Sequence, residues 1–262
     1  MSAAASLLRR WAIPLAILVA WQFAGPLGWI DPIMLPPPTA VAGEAWRLLL
    51  SGEIFEHLLA SGSRVLLGFS IAVTVGCALG FLVGSSPLLA QIFDGTMQAL
   101  RLTPVVAAAP LLILWFGFGE ASKIAIVAAM GMFPMYLAAL SAFRGIDARL
   151  LEVNRILQPG RWWLLWRFYV PATLPDILNG ARYALVISWL SLAVAELIGT
   201  RTGIGHLVLA GNAHKNLNLL FVAVLLFAVS GKFTDAVVAA VQRRLLAWSD
   251  TFSSSRTAGA TR

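Results

Sequence analysis

Ionisable side chains are scarce in this chain, so each one set among apolar neighbours is a candidate for chemistry. Arg182 and Glu196 flank the run that carries Ser188, Trp189 and Ser191, and Lys232 stands three residues before Asp235. Residues three apart can meet on one helix face. A charge at the centre of a bilayer costs about 2.5–3.5 kcal/mol on insertion scales, so such groups bind, relay or pair. All four lie nearer an end of their apolar run than its middle, where long side chains can reach water. Pairing or anchoring is therefore the expected role, ahead of direct contact with a substrate. His57, His206 and His214 read as isolated polar loop residues without metal-ligand spacing. The lone Cys77 sits inside an apolar run, which leaves no disulfide framework and no thiolate metal site.

Catalytic motifs are missing. There is no HExxH, no GxSxG and no carboxylate cluster with metal spacing. A phosphate-binding loop needs GxxxxGK[ST], whereas the Gly231-Lys232 pair is followed by Phe233 and lacks the upstream glycine. The chain is expected to be no enzyme, to hydrolyse no ATP and to hold no metal or cofactor. An ion-coupled carrier would show ionisable or broken helices at mid-membrane and internal repeats. Neither is legible, which makes a secondary transporter the lesser alternative.

The elements that must position these residues are membrane helices. The 262 residues are 59% hydrophobic and 12% charged, with a mean hydropathy of +0.82; a soluble domain carries about twice that charged fraction. Windows of the length needed to cross a bilayer, roughly 17–25 residues, are almost free of charge. The expected fold is all-α and polytopic, with about six transmembrane helices near 11–30, 62–84, 103–118, 122–142, 177–199 and 217–241. The first follows Arg9-Arg10 and lacks a small-residue cleavage pattern, so it reads as a retained span rather than a signal peptide. The third is short and is expected to borrow turns from Ile92–Leu102. Pro36-Pro37-Pro38 predicts an extended entry to a surface helix bearing Glu44, Arg47, Glu53 and Glu56.

Lys and Arg set the orientation. With the N-terminus inside, the opposite side holds only Arg47, Lys123, Arg201 and Lys215, with Arg64 at a span edge. Both termini are thus expected in the cytoplasm, along with the 143–176 loop. The net charge of +7 follows from this bias, and no nucleic-acid partner is expected. The domain reading is a cytoplasmic N-terminus over 1–10, one transmembrane domain over 11–248, and a polar tail over 249–262 expected to be disordered.

Two patterns point to assembly. Gly68, Ala72, Gly76, Gly80 and Gly84 recur every fourth residue, a smooth stripe on which another helix, of this chain or a second copy, can pack closely. The segment EVNRILQPGRWWLLWRFYVPATLP, Glu152 to Pro175, gathers Arg155, Arg161, Arg167 and three tryptophans in an otherwise apolar region. It predicts a short helix from Glu152, a break at Pro159-Gly160, and a second helix from Arg161 to Phe168 that ends at Pro171 and Pro175. Such a knob suits a groove on a soluble partner.

This loop resembles the motif of permease subunits of bacterial ABC importers: E-A-A, three residues, G, nine residues, I-x-L-P. It reads here as Glu152-Val153-Asn154, Gln158, and Phe168-Tyr169-Val170-Pro171, with Asn154 replacing the second Ala and Gln158 the Gly; Gly160 comes two residues later. LPPPTAV, SRVLLGFSIAVTVGCALGFLVG, DGTMQALRLTPVVAAAPLLILWFGFGEASKI, AELIGTRTGIGHL and RRLLAW are similar to the nitrate/sulfonate/taurine permease group, from about Trp11 to Trp248. SGEIFEHLLAS, GFSIAV and MFPMY draw the likeness toward its aliphatic-sulfonate members.

The resemblance implies a type I importer permease in the bacterial cytoplasmic (inner) membrane. It implies a homodimer, a pair of partner ATPase subunits that bind the ATP and Mg, and a periplasmic or lipoprotein binding protein outside. Glu152, Asn154, Arg155, Gln158, Gly160 and Arg161 would form the ATPase-coupling loop. There the arginines either pair with acidic groups of the ATPase or simply follow the positive-inside bias. Candidates for the solute path are Thr103, Trp115, Ser188, Trp189 and Ser191, although the serines and Trp189 are equally suited to packing. The expected solute is a small anion, an aliphatic sulfonate, with nitrate, taurine or another small organic solute as alternatives.

Overall fold

A computed structural model describes residues 3–25, 27–31, 34–157 and 159–246. The chain divides into two compact units, residues 1–60 with 200–228, and residues 61–199 with 229–262. Gln158 and the tail over 249–262 lie outside the described residues, as do the side chains of Arg155 and Arg161.

The first unit contains α1 (Ala3–Ala24), α2 (Pro38–Ser51), the start of α3 (Glu53–Ser85) and, from later in the chain, a helix over Ile204–Ala213 and the start of another over Leu217–Leu245. Pro37 is extended, at φ −65° and ψ 148°, and Pro38 opens α2, where its missing N–H costs no helix bond. The entry is pinned to α1: the Trp21 indole N–H donates to the Pro36 carbonyl at 3.0 Å. The Gln22 amide also donates to the Thr39 hydroxyl and accepts from the Thr39 N–H, both at 3.2 Å. Glu44, Arg47, Glu53 and Glu56 do not share one helix as the sequence suggests. Gly52, at φ +82°, closes α2 with a left-handed residue that only glycine adopts cheaply. Glu53 and Glu56 then form the acidic first turn of α3. Hydrogen bonds to the Glu44 carboxylate, and its charge with that of Glu53, hold the Arg47 guanidinium above its usual pKa.

The second unit contains the rest of α3, then α4 (Pro87–Arg101), α5 (Val105–Phe116), α6 (Glu120–Arg144), α7 (Ala148–Leu157), α8 (Arg161–Leu164), a π-helical turn over Leu165–Tyr169, and α9 (Val170–Leu197). After α10 (Ile204–Ala213), α11 (Leu217–Leu245) returns to this unit from residue 229. By length and apolarity, four described helices can cross a membrane: α3, α6, the stretch Trp162–Leu197, and α11. A fifth is possible if α4 and α5 count as one broken span. They do not merge into one straight helix, because they meet at 104°, where Pro104 is extended, with φ −62° and ψ 133°. The apolar stretches Ala12–Ala24 and Ile204–Ala213 are shorter helices.

The row of small residues on α3 lies against α6. A Cβ built on Gly76 would come within 2.6 Å of the Met135 Cβ and 2.7 Å of the Met132 carbonyl. One on Gly80 would meet the Ala139 Cβ at 2.6 Å, and one on Gly68 the Val127 Cγ1 at 2.6 Å. Gly84 faces Phe143, while Ala72 adjoins Gly131. These are distances no real Cβ keeps, so the two backbones can approach only because the row lacks side chains. Helix α6 also packs on α9, with Gly180 seated on Ala138 and Gly131 set between Ala72 and Ser188. Hydrogen bonds tie α9 to α11: Gln242 donates to Asn179 at 2.8 Å, and the Trp189 indole to the Thr234 hydroxyl at 2.9 Å. Outward faces carry large apolar side chains such as Leu66, Leu114, Tyr183 and Val229, as expected of surfaces covered by lipid or by other membrane helices.

The return of the Trp-rich loop also departs from the sequence expectation. Pro171 and Pro175 do not end the helix, which runs unbroken from Trp162 to Leu197. In the π turn the Val170 N–H donates to the Leu165 carbonyl five residues back. That wider turn absorbs the clash a proline makes with the carbonyl of an α turn. Thr173 adds a hydroxyl donor to the Tyr169 carbonyl at 2.8 Å.

Gly80→Ala should cost about 1–3 kcal/mol through overpacking and lower the thermal midpoint of the purified chain in detergent. Gly95→Ala, where a Cβ meets nothing within 4 Å, should leave that midpoint unchanged or slightly raised. An unaltered midpoint for Gly80→Ala would show that the α3–α6 approach does not limit stability.

Candidate functional site

The Trp-rich loop begins where α6 stops. Gly145 follows the last turn of α6, its N–H donating to the Ser141 carbonyl at 2.8 Å. Asp147 then starts α7: its carboxylate accepts from the Arg149 N–H at 2.9 Å and its carbonyl from the Leu150 N–H at 3.0 Å. This acidic cap places the helix start ahead of Glu152, so Glu152 stands exposed inside α7. Asn154 turns inward on its own helix, donating to the Leu150 carbonyl at 2.9 Å. Ile156 and Leu157 are 81% and 67% exposed, leaving the end of α7 with apolar side chains and no cover. Gly160 is not in the left-handed region, and a Cβ there would meet nothing. Its carbonyl accepts from the Leu164 N–H at 3.0 Å, so it serves as the start of α8 rather than as a strained hinge.

The loop is fastened to the helix core by aromatic rings. Tyr169 stacks on Phe143, with centroids 5.2 Å apart and 19° between planes, and Phe143 meets Phe81 edge-on at 6.0 Å. Phe143 also occupies the space beside Gly84. Displacement of α7 and α8 therefore bears on α6 and α3 through packed rings. An apolar cavity of about 380 Å³ opens beside these rings, lined by Leu82, Ser85, Leu165 and Val170 among others.

A charged cluster that the sequence reading did not assemble lies where α3, α6 and α9 meet. Arg64, 2% exposed, grips Glu120 with two parallel bonds, Nε to Oε2 at 2.5 Å and NH2 to Oε1 at 2.7 Å. Its third nitrogen reaches Glu196 Oε1 at 2.5 Å. Glu196 is fully buried and also accepts from the Ser61 hydroxyl at 2.7 Å. Lys123, a turn along α6, is 3.4 Å from Glu120. Two cations and two carboxylates thus neutralise one another, which burial demands. The signals were present: Ser61 and Arg64 share a helix face, as do Glu120 and Lys123. What sequence lacks is the pairing between helices. Asp235 likewise takes its hydrogen bonds from another helix, with Lys232 exposed and acting on it through charge alone. It accepts two bonds from Arg182 across to α9, at 2.9 and 3.0 Å.

The five proposed path residues are not gathered together. Thr103 and Trp115 are exposed near the α4–α5 bend and at the end of α5, whereas Ser188, Trp189 and Ser191 are buried in α9. Trp189 is engaged with Thr234, Ser191 donates to the Ser188 carbonyl at 3.0 Å, and the Ser188 hydroxyl packs on Gly131. These three build the helix contact. Two of the three histidines also depart from the reading as loop residues, while His214 keeps to it. His57 is buried on α3 and its Nδ1 accepts from the Gly203 N–H at 3.1 Å. His206, on α10, donates from Nδ1 to the Thr200 carbonyl at 3.0 Å, with its ring 5.7 Å from that of His57. His214 is exposed at the end of α10.

Comparison with known proteins places this architecture. The chain is 39% identical over 240 residues to the aliphatic sulfonates transport permease protein SsuC of Bacillus subtilis, covering 92% of this chain and 87% of that one. It is 29% identical over 237 residues to the taurine transport system permease protein TauC of Escherichia coli, covering 88% and 86%. Among solved structures, a chain of the inward-facing MetNI methionine ABC transporter shares the fold with a TM-score of 0.63 at 16% identity. That match covers 77% of this chain and 98% of the other. A chain of an amino acid ABC transporter matches with a TM-score of 0.60 at 12% identity, covering 77% and 96%. Residues 72–247 match the family described as the binding-protein-dependent transport system inner membrane component, and the chain is a member of that family of ABC importer permeases.

Proposed function

We propose that this permease subunit imports a small organic anion bearing a sulfonate head. It would work as a homodimer on two ATPase subunits that bind ATP and Mg, fed by an external binding protein, in the bacterial inner membrane. The observation that carries the solute is the 39% identity to the SsuC permease over 92% of the chain. The taurine permease is a further relative, and taurine is itself an aminosulfonate, so the two named solutes share one head group.

The ATPase contact falls on the 143–176 loop, with both termini and the tail over 249–262 on the same cytoplasmic side. The exposed Glu152, Ile156 and Leu157 offer one charge and two apolar contacts to a groove. Gly160 and Arg161 start the helix that carries the Tyr169 ring to Phe143. Closure of the ATPases moves this loop, and the ring contacts pass the displacement to α6 and α3 as rigid bodies. Asn154, bonded within α7, keeps the helix intact rather than touching the ATPase. Arg155 and Gln158 complete the docking segment by position. Thr103 and Trp115, exposed, remain path candidates, while Ser188, Trp189 and Ser191 hold helices together.

In liposomes containing the full transporter, sulfonate uptake should require ATP, the partner ATPase and the binding protein; uptake without ATP would overturn the reading. Glu152→Ala and Gly160→Pro should each dissociate or uncouple the ATPase while the spans stay folded. Gly160→Ala should be silent because its Cβ has room. Unchanged ATPase assembly and turnover in both Glu152→Ala and Gly160→Pro would move the docking contact elsewhere.

A further inference from the structure

The four charges at the α3–α6–α9 meeting point are unequal in burial. Arg64, Lys123 and Glu196 have side chains 2%, 8% and 0% exposed, whereas that of Glu120 is 60% exposed. Glu196 is a fixed partner, locked by Arg64 and the Ser61 hydroxyl. Glu120 is the one member that can swing outward without dragging a buried group into water. It is also the carboxylate both cations share: Arg64 holds it by two bonds, and Lys123 stands 3.4 Å from it. Were it to leave, the remaining Arg64, Lys123 and Glu196 would carry one uncompensated positive charge, sheltered from water and open on the side Glu120 vacates. A buried cation left so is costly, and an incoming anion would relieve it. A guanidinium edge that receives two carboxylate oxygens fits two oxygens of any planar or tetrahedral oxyanion, and the nearby ammonium can take a third.

We propose that Arg64 and Lys123 form an anion-accepting site whose resting occupant is the Glu120 carboxylate, and that the sulfonate head of the transported solute takes the place of Glu120. This rests on the transport reading above for the identity of the anion, while the site itself is drawn from the side-chain geometry. Glu120 acts as an internal competitor. It keeps the cluster neutral when no solute is present and keeps the site weak, as a transit site must be if solute is to leave it.

The competitor sets the test. The purified full-length chain is titrated with methanesulfonate, with chloride and with uncharged dimethyl sulfone, and followed by its tryptophan fluorescence. Glu120→Gln should tighten methanesulfonate binding about tenfold, the scale of one charge-assisted hydrogen bond, and leave dimethyl sulfone unaffected. Adding Lys123→Met to Glu120→Gln should reverse most of that gain. Unchanged or weaker methanesulfonate binding in a folded Glu120→Gln chain would overturn the site, as would equal tightening for chloride. If Glu120→Gln fails to fold, the unaltered chain still decides. Rising methanesulfonate should leave Lys123 shielded from an amine reagent while the displaced Glu120 becomes more reactive to carbodiimide; Glu120 reactivity that does not rise would overturn the proposal. In liposomes holding the whole transporter, Glu120→Gln should lower the KM for sulfonate uptake. Absence of ATP-driven uptake by the unaltered transporter would instead sink the transport reading and leave the titration to judge this site.

Discussion

The constraint on which the second unit depends is the close approach of two helix backbones, α3 and α6, along a row of residues with almost no side chains. Everything else in the second unit is referred to that contact. Built Cβ positions on Gly68, Gly76 and Gly80 fall 2.6 Å from side-chain atoms of α6, so a single added methyl has no room. In a bilayer, burial of apolar surface between helices gains little over lipid, and close packing has to supply the attraction. The row also fixes which faces of α6 remain for other neighbours. Ala138 receives Gly180 of α9, and Gly131 lies between Ala72 of α3 and Ser188 of α9, and α9 in turn is tied to α11 by Gln242, Thr234 and Asp235.

With those helices in register, polar groups that would be prohibitive alone become compatible with a membrane. Arg64 needs two carboxylates, and they come from the first residue of α6 and the penultimate residue of α9. The cluster is neutral as a set, yet its members differ sharply in exposure. At the other end of the same helices there are rings instead of charges: Phe81, Phe143 and Tyr169 join α3 and α6 to the returning loop. One end is therefore held by directional ion pairs and the other by aromatic packing, with the glycine row between them. Such a frame suits the rigid-body switching proposed for the transport cycle.

Much of this was legible from residue order. The apolar runs mark the crossings at α3, α6, α9 and α11, and the every-fourth-residue row marks a helix contact. The break at Pro159-Gly160 separates two short helices. Other features were not. A proline is a poor guide when a π turn beside it can absorb the strain, as at Pro171, and Pro175 too lies within the continuous helix rather than at its end. Gly52 lies within what residue order presents as one surface helix, although its left-handed backbone divides α2 from α3. The stretch before the third span looked like a continuation, yet Pro104 turns it by 104°. Ser188, Trp189 and Ser191 stay open between a solute path and packing in the sequence, which cannot say which face of α9 meets α6 and α11.

By itself, then, the order of residues determined the class of the protein, its helices, the composition of its loop and the presence of a smooth face on α3. These follow from local rules: hydropathy over the thickness of a bilayer, periodicity of 3.6 residues, and the backbone limits of glycine and proline. Only the tertiary structure decided the partners: that α6 is what the smooth face touches, that Asp235 answers Arg182 rather than Lys232, and that Arg64 is shared between Glu120 and Glu196. The physical reason is that pairing depends on distances between residues separated by 53 to 132 positions in the chain. Ion pairs of that kind are selected by which helices pack together, and that packing is a property of surfaces rather than of any one segment.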